Sequence, residues 1–173
     1  MSSFELEIWD DQAEMVTFYT VKWEDAEISE TDKFFDRMRK IPEMKDSIQK
    51  MAKLITEVIG NTYGAHEAFF NRFENRATAL PPKGKIKLCE IVFDYIGFPL
   101  RLFCLALYEE LVVLFNGGIK DAQTIQETKD PISIKFYEAN EFAKRIFAAI
   151  NSEQIIIHGR TITDFNGNSI IIL

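Results

Sequence analysis

Lys85 and Lys87 stand two apart in a strand-like run, Arg101 lies inside a second run, and Lys120 follows a third. A strand alternates its side chains, so both lysines share one face while Ile86 and Leu88 take the other. If the three runs form a meander, cations from neighbouring strands and the following loop converge on one phosphate. Such a site can break an RNA backbone without a metal. A base takes the 2′-hydroxyl proton, cations hold the negative phosphorane, and an acid protonates the departing 5′-oxygen. Lysine serves as that base only where nearby positive charge lowers its pKa. Exposed strand lysines also discourage edge-to-edge aggregation, and spacing alone favours this second use. Arg101 sits in an otherwise apolar run and needs an acid or a ligand as partner.

Around these residues the charge is uneven. The chain of 173 residues carries −7, yet residues 71–120 hold seven Lys and Arg against five Asp and Glu. Residues 1–70 hold eight against fifteen, and residues 121–173 five against seven. Arg72, Arg76 and Lys83 extend the cationic stretch upstream of Lys85 as candidate RNA contacts, opposed within it only by Glu74. A local patch of this kind receives a phosphate even on an acidic protein. Other chemistry is poorly represented. There is no phosphate loop and no Gly-x-Ser-x-Gly elbow. His66 and Glu67 lack the second histidine of a zincin, and His66 and His158 read as surface or loop residues. Tyr63, Phe69, Phe70 and Phe73 could stack on bases, but their helical spacing favours the core. Cys89 and Cys104 lie in apolar runs and read as buried free thiols of a reducing compartment, with a disulfide as the alternative.

The elements that must position these groups follow from periodicity. Phe4, Leu6 and Ile8 alternate with Glu5 and Glu7, and a β-rich run at 15–23 completes an amino-terminal hairpin. Ser29 with Asp32 opens a helix through about residue 40, and Pro42 restarts one that Gly60 and Asn61 should end. After the break at Pro81, Pro82 and Gly84, runs at 85–95, 100–108 and 111–115 predict a three-strand meander. The last two are apolar on both faces and should lie centrally under cover. A polar loop then leads from Lys120 to a helix over 130–150. Asn166 and Gly167, between β-branched runs, signal a carboxy-terminal hairpin. The order predicts a single α+β domain, an antiparallel sheet with helices packed on it. Its parts are strands and helices at 1–80, the core meander and helix at 81–150, and a hairpin at 151–173.

Taken together, Lys85-Ile86-Lys87-Leu88, Pro99 to Phe103 with Arg101 inside, Leu111 to Phe115, and Gly117-Gly118-Ile119-Lys120 resemble the RelE/ParE toxin superfamily. The helix over 130–150 looks like that family's closing helix, so the likeness covers residues 80–150. It implies a ribosome-dependent, metal-independent mRNA endoribonuclease with no cofactor, partnered by a cognate antitoxin that masks its basic face. In that pattern Lys85 and Lys87 do acid–base work and hold phosphate, Arg101 stabilises the scissile phosphate, and Lys120 belongs to a basic turn. Asp121 stands where a second cation is expected, and residues 123–125 offer no tyrosine or histidine. The alternative is a relative of phage or mobile-element origin that keeps the fold as a non-catalytic protein-binding module. A gyrase poison of the ParE branch is a third reading. No apolar run is long enough for a membrane helix, and the first residues lack the pattern of a secretion signal, so a cytoplasmic location is expected.

Overall fold

The computed structural model describes residues 2–120 and 131–173. Strands β1 (Phe4–Asp10) and β2 (Thr17–Trp23) pair antiparallel as the expected hairpin. Helix α1 (Glu30–Arg39) starts where Ser29 Oγ accepts the N–H of Asp32 at 3.1 Å. A 3₁₀ turn, Pro42–Met44, leads into α2 (Lys45–Lys53). This helix does not stop at Gly60 and Asn61. It widens into a π-helical stretch, Leu54–Tyr63, and stops at Gly64, whose φ is 73°. The would-be stop is a docking point instead. A Cβ on Gly60 would lie 3.0 Å from that of Ala13. The β1–β2 connection settles there, its Met15 N–H donating to Gly60 O at 2.7 Å and its Glu14 N–H to Asn61 Oδ1 at 2.9 Å.

Beyond a 3₁₀ turn at Glu67–Phe70 come β3 (Phe73–Glu74), β4 (Ala77–Leu80), β5 (Lys85–Leu88), β6 (Ile91–Asp94), β7 (Leu100–Tyr108) and β8 (Leu111–Ile119). The predicted meander is corrected here. Residues 85–95 do not form one strand beside β7. They fold back at Cys89 and Glu90, both at positive φ (49° and 67°), into a separate two-stranded ribbon of β5 and β6. The place beside β7 belongs to β4, which pairs Thr78 with Cys104 and Leu80 with Leu102. The ribbon has its own anchor. Ile86 is buried on its inner face, and the Phe93 ring lies 5.7 Å from those of Tyr63 and Phe69. Lys50 Nζ lies over the Tyr95 ring and donates to Asp94 O at 3.2 Å.

Helix α3 (Ile132–Asn151) precedes β9 (Ile155–His158), β10 (Thr161–Asp164) and β11 (Ile171–Ile172). The main sheet has seven strands in the order β11-β1-β2-β8-β7-β4-β3, and it is antiparallel except for the β2–β8 pair. Strand β8 is buried along its whole length, as its two apolar faces require. Phe18, Leu102 and Leu114 face a core shared with α1, α2 and the π-helix. Tyr19, Phe103 and Phe115 face a second core shared with α3, β9 and β10. The result is a mixed α+β fold with three α-helices among the described residues.

A carboxy-terminal hairpin is present, but Gly159 and Arg160 turn it, from β9 into β10, and Asn166 and Gly167 do not. Asp164 Oδ1 accepts the N–H of both Asn166 and Asn168 at 2.8 Å and closes a local loop. These bonds, that from Asn168 foremost, hold the Asp164 carboxyl below its ordinary pKa. The chain then delivers β11 to the edge of β1, pairing Ile171 with Leu6. Both terminal segments are thus built into the sheet or its cover. Arg160, for example, donates to Ala13 O and Glu14 O at 2.7 Å. The polar loop expected after Lys120, with Asp121 and residues 123–125, lies outside the described residues.

Candidate functional site

The cations singled out by spacing fall in two places. Lys85 and Lys87 project from the outer, exposed face of the β5–β6 ribbon, opposite the buried Ile86. Each has an acid of its own ribbon nearby: Lys85 Nζ is 4.0 Å from Asp94 Oδ2, and Lys87 Nζ is 3.4 Å from Glu90 Oε2. Arg101 and Lys120 share a different location, one end of the β7–β8 ladder. There Arg101 pairs with Gly118, and the Lys120 N–H donates to Pro99 O at 2.7 Å. Arg101 is only 7% exposed, and its Nη1 donates to Phe98 O at 2.8 Å and Leu100 O at 2.7 Å. Its strand neighbours Leu100 and Leu102 face the α1/α2 core, so the guanidinium leaves β7 on the α3 side. The ribbon packs its inner side on the α1/α2 core. The four cations therefore do not converge. The partner Arg101 required is, in part, main-chain carbonyl oxygen.

Arg72, Arg76 and Lys83 occupy the segment before the ribbon. Arg72 Nε donates to Pro81 O at 3.2 Å, and its pKa is lowered chiefly by burial, against the charge of Glu74. Lys83 is exposed, its N–H donating to Asn71 Oδ1 at 2.7 Å. Arg76 is exposed at the β3–β4 turn, where its N–H donates to Asn140 Oδ1 at 2.7 Å.

Two features escaped sequence reasoning. The first is a buried polar knot. Pairing of β2 with β8 ends at Thr20 and Leu114, although both strands run on. Into this fork α1 sets Glu30, 1% exposed, and α3 sets Lys135, 7% exposed. Glu30 Oε1 lies 3.8 Å from Lys135 Nζ and accepts Asn116 Nδ2 at 3.3 Å, while Oε2 lies 2.7 Å from Lys33 Nζ. Arg37 Nη2 donates to Gly117 O at 2.7 Å, and Thr31 Oγ1 to Phe115 O at 2.9 Å. The knot joins the two helical layers through the gap in the sheet. It is closely packed and structural.

The second feature is a groove of about 700 Å³ beside β7, walled by His66, Phe70, Phe73, Leu105, Tyr108 and Phe147. Phe73, expected in the core, is 78% exposed here. Its strand is two residues long and stands at the edge of the sheet. His66 Nδ1 accepts the Ala68 N–H at 3.0 Å, which assigns the neutral ring's proton to Nε2. Two further depressions meet this groove at Tyr108, one past Glu109 and Glu110 and one past Ile156 and Phe165. Helical spacing points Phe70 and Phe73 to the core, while Tyr108 and Phe147 stand singly in distant elements, so nothing in the sequence marks the groove they share. His158 lies exposed on β9, as expected.

The thiols are free, but only Cys104 is buried; Cys89 is exposed at the ribbon turn. An apolar-looking run misled here because its middle is a turn. Burial pushes the Cys104 thiol up to about 12, and likewise the Tyr95 phenol to about 12. Cys89 should therefore react at once with a disulfide reagent, and Cys104 only on unfolding. Each buried group favours its neutral form, so stability is full below the unfolded pKa and falls as pH rises toward 12. For Cys104 the slope is about 1.4 kcal/mol per pH unit above the ordinary thiol range. Urea midpoints between pH 8 and pH 11 should fall, and Cys104→Ala should flatten that fall. Comparison with known proteins found no family model, no curated protein and no solved structure that matches the chain.

Proposed function

We propose that this chain is a RelE/ParE-type α+β fold used as a protein-binding module, with no ribonuclease activity of its own. The RelE-type part of the reading rests on the resemblance of residues 80–150. The antiparallel β4-β7-β8 unit, with Arg101 in its middle strand and α3 following, is in keeping with it. The single observation that carries the non-catalytic part is the separation of the cations. Lys85 and Lys87 pair with Asp94 and Glu90 on an outlying ribbon, while Arg101 is spent on Phe98 O and Leu100 O. Phosphoryl transfer needs such groups within hydrogen-bond reach of one phosphate. A net charge of −7 also works against entering a site walled by RNA phosphates.

Inducible expression with growth and mRNA-integrity readouts tests this. Wild type and Lys85→Ala/Lys87→Ala should both be harmless and leave mRNA intact in a translation system. Cleavage within the ribosomal A site by wild type, lost in Lys87→Ala, would overturn the reading and restore the endoribonuclease.

A further inference from the structure

We infer that the groove at Tyr108 receives an extended, basic and apolar segment of a partner polypeptide as an added strand on the open half of β7. This rests on the binding-module reading and names the partner's chemistry. Strand β7 has nine residues, but β4 pairs only with Leu102 to Cys104. The chain leaves that edge at the β3–β4 turn, where Asn75 takes a φ of 67°. On that side Leu105 to Tyr108 have no strand partner among the described residues. Such a row of main-chain N–H and C=O groups is a template for another strand. The segment at 65–71 lines the other side of the groove and joins this edge just past Tyr108, where the Ala65 N–H donates to Glu109 O at 2.7 Å; the groove between is the space a strand would fill. Four residues of strand span roughly 13 Å.

Side chains define what that strand should carry. Phe73, Tyr108 and Phe165 are 78%, 58% and 66% exposed, and Phe147 is also open. Exposed aromatics grouped along a groove mark an interaction surface. They suit apolar side chains at alternate positions. The rim is acidic: Glu67, Glu109, Glu110 and Glu153 against Arg76. Complementary charge on the partner is therefore lysine or arginine between or beside the apolar positions. The same acidity disfavours a nucleic acid. It also disfavours a second copy of this chain, whose matching rim would face it with like charge.

The test uses full-length protein and a labelled peptide alternating lysine with valine. A glutamate–valine peptide and a lysine–valine peptide N-methylated at alternate residues serve as controls. Anisotropy should show binding of the first peptide alone, weakened by salt. Amide exchange should slow at Leu105 to Tyr108. Phe73→Ala/Tyr108→Ala changes two exposed rings and should weaken binding about tenfold or more. Glu109→Lys/Glu110→Lys should weaken it in low salt only. Equal binding of the lysine and glutamate peptides, indifference to N-methylation, or unchanged exchange on β7 would each overturn the inference. So would preferential, Tyr108-dependent binding of single-stranded RNA. A-site mRNA cleavage by the protein would defeat the module reading alone. Failure of the peptide without cleavage would defeat the groove alone.

Discussion

Glu30→Ala should lower the unfolding free energy by about 2–3 kcal/mol, below the roughly 3–5 kcal/mol for a buried ion left uncompensated, because Lys135 also pairs with Glu138. Glu30 is the anion at the centre of the fork between β2 and β8. Its Oε1 faces Lys135 at 3.8 Å and accepts Asn116 Nδ2 at 3.3 Å. Lys33 is better placed to reach water once the carboxylate is gone, being 35% exposed at its side chain. Lys135 is 7% exposed and keeps Glu138 Oε2 at 3.3 Å, so its pairing is weakened rather than abolished. Pairing it with Lys135→Met should recover much of the loss, because a buried pair replaced by apolar groups is often nearly neutral. Urea denaturation of the two single variants and the double variant closes a thermodynamic cycle. Additive losses would show that the carboxylate and the ammonium are not coupled and that the knot owes its order to its neutral hydrogen bonds.

Gly117→Ala should do comparable damage by a different route. A Cβ at this position would lie 1.9 Å from Arg101 O, 2.8 Å from its carbonyl carbon and 2.9 Å from Leu102 Cα. All three are backbone atoms and cannot turn aside. Strands β7 and β8 would have to part at the register shift between Leu102 and Cys104. The expected loss is about 3 kcal/mol or more, beyond ordinary overpacking. Gly118 provides the control. Its added Cβ would meet Ile132 Cβ at 3.2 Å and Cα at 3.4 Å, so only the first residue of α3 need give way by a few tenths of an ångström. Gly118→Ala should cost roughly 1 kcal/mol. Denaturant midpoints for the two variants decide it, and equal losses would remove the close strand contact as the cause.

The elements that were legible in the sequence are those whose periodicity and packing agree. Phe4 and Leu6 alternate and face one core, Ser29 caps α1, and β8 reads as buried on both sides and is. The failures have local causes. Residues 85–95 have the composition of one strand, and only the positive φ of Cys89 and Glu90 makes them two. That turn removed Lys85 and Lys87 from the sheet, and the inferred phosphate site with them. Gly60 and Asn61 have the chemistry of a helix stop, yet the contact with Ala13 and Met15 uses them for docking. The fork knot could not be read at all. Glu30 and Lys135 are ordinary helix-surface residues until the parallel pairing of β2 and β8 brings them together.

That parallel pairing also sets the order in which the protein can be assembled. In the sheet Thr17 must find Leu111, and Thr20 must find Leu114. During synthesis the β1–β2 hairpin and both early helices leave the ribosome long before β8 exists. Until then the apolar faces of Phe18 and Tyr19 have no central strand to lie against. Closing so large a loop is entropically slow, and unpaired strand edges are exposed meanwhile. Folding yield, more than native stability, should therefore be sensitive to translation rate and chaperone supply. Truncations that end before Leu111 should be insoluble even though they retain most of the described secondary-structure elements.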